Sequence, residues 1–236
     1  MDAGPGRLAL AGLGFQAMGR SPGLPSPTRI AVLISGRGSN MEALLRAAAP
    51  PLHIALVLAN RPDAAGLATA RAVGVEALCL DHRAFGRDRA AHERAIQAEL
   101  ERRDIHLVCL AGYLRLLTPF LVGRWAGRML NIHPSLLPAF PGLDTHARAL
   151  AKGVALHGCT VHLVTDATDE GPILAQAAVP VLPGDTEAVL AARVLAQEHR
   201  LYPAALRRFV LGPASGERPA ADAALLNPLP DPRIAP

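Results

Sequence analysis

The feature that most restricts the fold of this chain is a regular alternation of short apolar runs with stretches of helical spacing. Apolar runs of five to seven residues occupy residues 29–34, 53–59, 75–80, 106–111 and 128–132. Helical spacing fills gaps between them, at residues 40–48, 64–73 and 87–103. Strands that alternate with helices form βαβ units, in which neighbouring strands run parallel. The sequence therefore predicts an α/β fold with an open, mostly parallel twisted sheet and helices on both faces.

The remainder of the chain contains two further strands and one long helix. Residues 157–165 and 173–181 are predicted to form adjacent strands, and residues 185–210 have helical spacing. One domain of residues 29–210 agrees with a chain of 236 residues. Glycine and proline are concentrated in residues 1–28, and proline in residues 211–236. We expect these tails to be a flexible N-terminal extension and a weakly ordered, Pro-rich C-terminal tail.

The cellular compartment is predicted from features that the chain lacks. No run approaches the roughly 18 consecutive apolar residues of a transmembrane helix, so no membrane partner is expected. Residues 8–18 are apolar enough to suggest a signal peptide, but only Arg7 precedes them and no good cleavage site follows. A start of translation at Met18 explains this segment equally well. Three cysteines without a Cys-x-x-Cys motif are typical of free thiols, which favours the cytoplasm.

The basic residues exclude several classes of function. Lys152 is the only lysine among 24 basic residues, and no Gly-Lys-Ser/Thr motif surrounds it, so the chain is not a P-loop NTPase. Schiff-base chemistry would depend on this one lysine. The arginines are scattered and only 3% of the residues are aromatic, so no nucleic acid partner is expected. The histidine spacing matches no common zinc pattern, so no metal is expected either.

A glycine-containing turn follows the first predicted strand. Residues 35–40 read Ser-Gly-Arg-Gly-Ser-Asn and lead into a helix, whose free N–H groups can bind an anion. Ser39 and Glu42 are spaced as a capping box. The dinucleotide-binding fingerprint is incomplete, because its third glycine would fall at Met41. The turn therefore predicts either a phosphate site or a turn that only caps the helix.

The most informative segment is residues 130–138, which read Leu-Asn-Ile-His-Pro-Ser-Leu-Leu-Pro. Asn131 and His133 are two residues apart at a strand end, so their side chains project to the same face. An amide donor beside an imidazole can stabilise an oxyanion and move a proton. An acid from the polar loop at residues 165–172 could pair with His133. The alternative is a loop histidine with a structural role only.

These motifs resemble the phosphoribosylglycinamide formyltransferase family, folate-dependent enzymes of purine synthesis. The resemblance extends from about residue 29 to residue 209 and also includes Ala-Gly-Tyr-Leu-Arg at 111–115, Asp-x-Gly-Pro at 169–172 and Gln-Glu-His at 197–199. It implies a Rossmann-like formyltransferase fold, with residues 29–210 as the catalytic domain. The implied reaction passes the formyl group of 10-formyltetrahydrofolate to the amine of 5'-phosphoribosylglycinamide, without a metal. The resemblance implies small-molecule partners and a monomer or homodimer.

The resemblance also assigns roles to individual residues. Asn131 would polarise the formyl oxygen, His133 would donate a proton, and Asp169 would favour the protonated histidine and order water. The ribonucleotide would contact Gly38, Ser39, Asn40 and Glu198. The folate pocket would be lined by Arg89, Leu114, Arg115, Leu116, Leu117, Asn131, Thr165, Asp166, Ala167 and Thr168. Arg87 is the alternative to Arg89 as the arginine of the folate pocket. Glu170 stands where glycine is expected in many relatives.

Three other functions compete with this interpretation. Formyltetrahydrofolate deformylase passes the formyl group to water, but normally carries a regulatory domain where this chain has 28 residues. Methionyl-tRNA formyltransferase adds a C-terminal tRNA-binding domain, for which 26 Pro-rich residues are too short. A catalytically silent α/β binding module belongs to a different class. Such a module does not need Asn131, His133 and Asp169 to converge.

Overall fold

A computed structural model of the chain describes residues 23–212. The predictions about residues 1–22 and 213–236 lie outside the described residues. The described part alternates strands and helices in the order β1 (Thr28–Ile34), α1 (Ser39–Ala47), β2 (Leu52–Ala59), α2 (Gly66–Ala72), β3 (Ala77–Cys79), α3 (Arg89–Arg102), β4 (Leu107–Leu110), α4 (Pro119–Arg124), β5 (Met129–His133), α5 (Thr145–Lys152), β6 (Leu156–Leu163), β7 (Ile173–Pro180) and α6 (Glu187–Leu211). A short 3₁₀ helix (His82–Phe85) lies between β3 and α3.

All seven strands form one sheet, in the order β3-β2-β1-β4-β5-β6-β7. The strands from β3 to β5 are parallel, whereas β6 is antiparallel to both β5 and β7. The predicted α/β class with a mostly parallel sheet is confirmed. Strand order reverses at β1, which pairs with β2 on one side and with β4 on the other. Open α/β proteins bind ligands at the carboxyl ends of the strands beside such a reversal.

Helices cover both faces of the sheet, as predicted. Alternate residues of β1 enter two separate cores, with Ile30 and Val32 in one and Ala31 and Leu33 in the other, all fully buried. The first core packs against α1, α2 and α6, and the second against α3 and α4. A strand covered on both faces reads as a continuous apolar run, which is why β1 was easy to recognise in the sequence.

Several local features differ from the sequence-based expectations. The helices α4 and α5 were not predicted, because they have only six and eight residues and are too short to show a clear period. The prediction of a capping box at Ser39 and Glu42 is wrong. Gly38 is the N-cap of α1, with φ at 78° and no side-chain cap, and Ser39 is already helical. Within residues 23–212, no helix has both the length and the apolarity needed to cross a membrane.

Candidate active site

The turn after β1 is built largely from backbone. Gly38 adopts φ of 78°, in the left-handed region that favours glycine. The N–H of Gly66, at the start of α2, donates to the Gly36 carbonyl over 3.2 Å. A Cβ at residue 66 would lie 2.6 Å from Ile34 Cδ1 and 2.9 Å from the Arg37 carbonyl oxygen. Glycine at 66 therefore lets α2 begin directly against the turn, a requirement that sequence reasoning missed.

Asn40 and Glu198 join the first and last helices beside this turn. The Asn40 Nδ2 donates to Glu198 Oε2 over 2.6 Å, although the two residues are 158 positions apart. Burial raises the pKa of the Glu198 carboxyl, and the hydrogen bond from Asn40 opposes that shift. The Asn40 Oδ1 is buried and has no hydrogen-bond partner within residues 23–212. Two of the residues assigned to the ribonucleotide thus converge and present an unused acceptor.

A second polar cluster lies where the sheet changes from parallel to antiparallel. His133 Nδ1 is 3.4 Å from Asp169 Oδ2, and His162 Nε2 is 3.7 Å from Asp169 Oδ1. Asn131 Nδ2 is 3.2 Å from His162 Nε2. Asn131, His133 and Asp169 therefore converge around His162. The roles that the family resemblance gives them stay predictions. The turn of residues 36–38 follows β1, and His133 is the last residue of β5. Because β1, β4 and β5 are parallel, both lie at the carboxyl edge of the sheet.

Asp169 is held in place by the backbone of two loops. Its Oδ2 accepts a hydrogen bond from the Gly142 N–H over 2.8 Å, and its own φ is 58°. Two residues later, a Cβ on Gly171 would lie 1.7 Å from the Leu163 carbonyl oxygen, so only glycine fits there. Glu170 is exposed to solvent and leaves this arrangement intact.

His162 is a member of the cluster that received no role from the sequence. The antiparallel register of β5 and β6 places it directly opposite Asn131. Burial lowers the pKa of His162, while nearby Asp169 opposes that shift. No local spacing links His162 to Asn131, so this contact is known only once the register of β5 and β6 is known. His162 Nδ1 donates to the Leu163 carbonyl oxygen over 2.9 Å, so the neutral imidazole presents Nε2 as the acceptor that orients the Asn131 amide.

A second pair of histidines lies behind His133. His133 Nε2 is 3.0 Å from the Phe140 carbonyl oxygen. His146 Nδ1 is 3.1 Å from His157 Nε2, and the Phe140 ring packs edge-on against His157. Burial lowers the pKa of His157 to about 4, and the neighbouring His146 and His133 contribute to that shift. The surroundings of His133 therefore hold a neutral imidazole on one side and a carboxylate on the other.

The residues assigned to the folate pocket occupy three segments. The loop after β4 exposes two apolar side chains, with Leu114 76% and Leu116 60% accessible. The Nε of Arg115 is buried without a hydrogen-bond partner among the residues described. Residues 165–168, before Asp169, are exposed. Arg87 and Arg89 are both exposed at the start of α3, beyond the carboxyl end of β3.

Metal ligands and reactive thiols are not grouped in the part of the chain that the structure describes. No cluster of three histidine, cysteine or acidic side chains there could hold a metal ion. The three cysteines are free thiols, and burial raises the pKa of Cys109 to about 12. The amide of Asn131 and the imidazole of His133 can stabilise negative charge and transfer a proton.

Comparison with known proteins identifies the fold and its relatives. The profile of the Formyl transferase family matches residues 28–206. Phosphoribosylglycinamide formyltransferase of Escherichia coli K12 is 45% identical over 186 residues, which cover 78% of this chain and 87% of that protein. A crystal structure of phosphoribosylglycinamide formyltransferase from Brucella melitensis aligns with a TM-score of 0.74 and 55% identity, covering 79% of this chain and 97% of that one.

Longer relatives contain the same region as one part. The trifunctional purine biosynthetic protein adenosine-3 of Bos taurus is 44% identical over 191 residues, which cover 80% of this chain. The chain spans only 19% of the length of that relative. The similarity to such proteins is therefore restricted to a segment of about the size of the sheet domain described above.

Proposed function

The chain belongs to the formyl transferase family, and from that premise we propose that it transfers the formyl group of 10-formyltetrahydrofolate to the amine of 5'-phosphoribosylglycinamide. The products are 5'-phosphoribosyl-N-formylglycinamide and tetrahydrofolate, in a step of purine (IMP) biosynthesis. The observation that carries the proposal is the convergence of Asn131, His133 and Asp169 at the end of β5. We further propose that the enzyme works in the cytoplasm on small molecules alone, as a monomer or homodimer.

The ribonucleotide is assigned to the turn after β1. The N–H groups at the start of α1 suit a phosphate, because a helix N-terminus carries partial positive charge. Gly38 and Ser39 would supply these groups. The unpartnered Asn40 Oδ1 and the buried Glu198 carboxyl suit the hydroxyl and amine groups of a sugar and a glycinamide.

The formyl donor is assigned to the loop after β4 and to the loop before Asp169. The exposed Leu114 and Leu116 side chains suit a flat aromatic ring, which would remove them from water. Leu117 and Arg115 complete that segment, and residues 165–168 with Asn131 would form the opposite wall. Arg89, or Arg87 in its place, would pair with the carboxylates of the folate tail.

Asn131 and His133 supply the hydrogen-bond donors that the proposed reaction needs. The neutral amine attacks that carbon, a new C–N bond forms, and the bond from the carbon to the folate nitrogen breaks. Negative charge develops on the formyl oxygen, where Asn131 Nδ2 and a ring N–H of His133 would each contribute about 3–4 kcal/mol of stabilisation. The amine loses one proton and the departing nitrogen gains one, which His133 would relay.

The geometry around His133 supports assigning the proton relay to one of its two ring nitrogens. Nδ1 faces the Asp169 carboxylate, whereas Nε2 faces only the neutral Phe140 carbonyl. A contact with a charged group is the stronger of the two. We therefore expect Nε2 to exchange the Phe140 carbonyl for the substrate while Asp169 keeps the ring oriented.

The test is loss of the formyl group from 10-formyltetrahydrofolate, measured with and without glycinamide ribonucleotide. We expect turnover that requires the ribonucleotide, and we expect Asn131→Ala to lose most of it while remaining folded. Turnover that does not need the ribonucleotide would indicate a deformylase. A folded protein that binds folate without turnover would indicate a binding module.

A further inference from the structure

We propose that Ser35 is a positioning residue that fixes the loop of residues 112–117 relative to the turn of residues 36–38. The inference rests on the proposed function, because it takes the turn as the ribonucleotide site and the loop as part of the formyl-donor site. Ser35 directly follows β1, so it lies between the strand and the turn. The family motif includes this serine, yet no step of the reaction above uses it.

The hydroxyl and the backbone N–H of Ser35 form hydrogen bonds with residues that follow the neighbouring strands β2 and β4. Its hydroxyl donates to Asn60 Oδ1 over 2.7 Å and accepts from the Leu114 N–H over 2.8 Å. Its own N–H donates to the Gly112 carbonyl over 3.1 Å. The residue is only 5% exposed, so water does not compete well for these bonds. Two of the three bonds join β1 to the segment that follows β4.

The contacts continue across the sheet through Asn60. Asn60 follows β2 and is 3% exposed, and its Nδ2 is 3.5 Å from His82 Nδ1. His82 Nδ1 is also 2.7 Å from the Asn60 carbonyl oxygen. The polar chain from Leu114 through Ser35 and Asn60 to His82 thus links the ends of β4, β1, β2 and β3, which are adjacent in the sheet. It ends in the segment that leads to Arg87 and Arg89.

The middle of the loop of residues 112–117 needs such anchors, because only its flanking side chains, Tyr113 and Leu117, pack against the second core. Leu114 and Leu116 are exposed, so packing does not fix the middle of the loop. The far end is held by Glu93, which accepts from the Thr118 N–H over 2.7 Å. Ser35 provides the matching anchor at the near end. Transfer requires reacting atoms within about 3–3.5 Å, so a small shift of the loop would separate the formyl group from the amine.

The turn, in contrast, has supports that do not involve the Ser35 hydroxyl. The Gly66 N–H donates to the Gly36 carbonyl, and the Glu42 N–H donates to the Gly38 carbonyl over 2.9 Å. Loss of the hydroxyl should therefore move the loop more than the turn. This asymmetry distinguishes a positioning role from a general effect on stability.

The test is Ser35→Ala, which leaves the Leu114 N–H and Asn60 Oδ1 unpaired. We expect the Kd of tetrahydrofolate, measured by calorimetry, to rise about tenfold, because an unpaired buried group disfavours the ordered loop. We expect kcat to fall as well, and the Kd of glycinamide ribonucleotide to change less than about twofold. Ser35→Thr keeps a hydroxyl and should restore most of the tetrahydrofolate affinity.

Thr28→Val is the matched control, at the other end of β1. Thr28 is also buried, and its hydroxyl donates to the Pro25 carbonyl over 2.8 Å. This variant should lower Tm without changing either Kd. If Ser35→Ala does not fold, Asn60→Ala removes the other partner and should weaken tetrahydrofolate binding about threefold.

Two results would overturn the inference. One is a folded Ser35→Ala with unchanged tetrahydrofolate affinity, or an unchanged affinity in Asn60→Ala if only that variant folds. The other is an equal loss of affinity for both ligands. A wild-type protein that binds neither ligand would instead contradict the proposed function.

Discussion

Two clusters of polar residues lie at the carboxyl edge of the sheet, and the fold brings the members of each cluster together in a different way. The turn cluster, consisting of residues 36–38 with Asn40 and Glu198, lies in the parallel half and presents mainly backbone groups. The histidine cluster, consisting of Asn131, His133, His162 and Asp169, lies at the boundary of the antiparallel half and presents side chains. A parallel strand leads into a helix whose N–H groups are free, whereas antiparallel pairing places side chains of adjacent strands opposite each other.

The two clusters also differ in how they hold a carboxyl group. Glu198 is buried with a neutral amide as its partner, and burial raises its pKa. Asp169 lies between two imidazoles and also accepts a backbone N–H. The first environment disfavours a negative charge on the carboxyl group, whereas the second provides a backbone N–H donor and a nearby imidazole nitrogen. This difference agrees with substrate binding at the turn cluster and proton transfer at the histidine cluster.

The largest expected effect is a loss of kcat when the histidine cluster is changed, which distinguishes it from the turn cluster. His133→Ala should lower kcat by about 10²–10⁴, because it removes the proton donor. Combining it with Asp169→Asn should cost little more than His133→Ala alone, because parts of one unit are not additive. A double-mutant cycle of kcat measures this.

The corresponding change in the turn cluster is Gly38→Val. It should raise the KM for the ribonucleotide and leave folate affinity nearly unchanged, because a side chain there obstructs the free N–H groups. Additive losses for His133 and Asp169, or unchanged ribonucleotide binding in Gly38→Val, would mean that the division between the clusters is wrong.

The next effect comes from glycines that support each cluster. Gly171→Ala should destabilise the protein by about 3 kcal/mol and lower kcat, because the new Cβ displaces the loop that carries Asp169. Gly66→Ala should instead raise the KM for the ribonucleotide, since its Cβ pushes against the turn. Urea unfolding and steady-state kinetics measure both.

Gly123→Ala is the control for these two variants. A Cβ at residue 123, in α4, would meet nothing within 4 Å. It should be neutral or stabilise the protein by up to about 1 kcal/mol through helix propensity. If Gly171→Ala and Gly66→Ala change the same kinetic constant, the two glycines do not support separate clusters.

A smaller effect concerns stability at acidic pH. The pKa of His157 is about 4 in the folded protein, against an ordinary value of 6.5. Between these values the unfolded chain binds the extra proton, so the free energy of unfolding should fall as pH drops from 6.5 towards 4. The loss assigned to His157 should be at most about 3 kcal/mol.

His157→Gln should reduce this pH dependence, as measured by urea unfolding at several pH values. The control is His53→Gln, since His53 is exposed on β2. Equal slopes for wild type and His157→Gln would show that another group is responsible.

The smallest effect is expected at Glu198. A carboxyl with a raised pKa in the folded state loses stability as pH rises above its ordinary value of 4.5. Glu198→Gln should therefore unfold at a higher Tm than wild type at pH 7, with the difference vanishing near pH 4. Asp169→Asn should lower Tm at pH 7, because His133 Nδ1 loses its carboxylate contact. A lower Tm for Glu198→Gln at pH 7 would remove this contrast between the clusters.

Long and strongly patterned elements were predictable from the sequence. The strands β1 and β2 and the helix α6 agree with their predicted ranges within one or two residues, because each has a continuous apolar run or a long helical period. The helices α4 and α5 were missed because they are short. The edge strand β3 is shorter than predicted, since it pairs on one side only.

Some contacts of the candidate site were predictable from the sequence and others were not. The proximity of Asn131 and His133 follows from their spacing on one strand, and sequence reasoning identified it. The pairing of Asn40 with Glu198 was implied only by family resemblance, because no local pattern links residues 158 positions apart. His162, Gly66 and the Ser35 contacts required the register of β6 and the packing of α2 and the loop after β4 against β1.

The sequence by itself determined the α/β class, the strand that carries the amide and imidazole, and the glycine turn, because these depend on local periodicity and on residue types a few positions apart. The tertiary structure alone decided which acid faces His133, which imidazole faces Asn131 and how the two clusters are tied together. These contacts depend on strand order, antiparallel register and loop closure, which are set by burial of the whole sheet and not by any single segment.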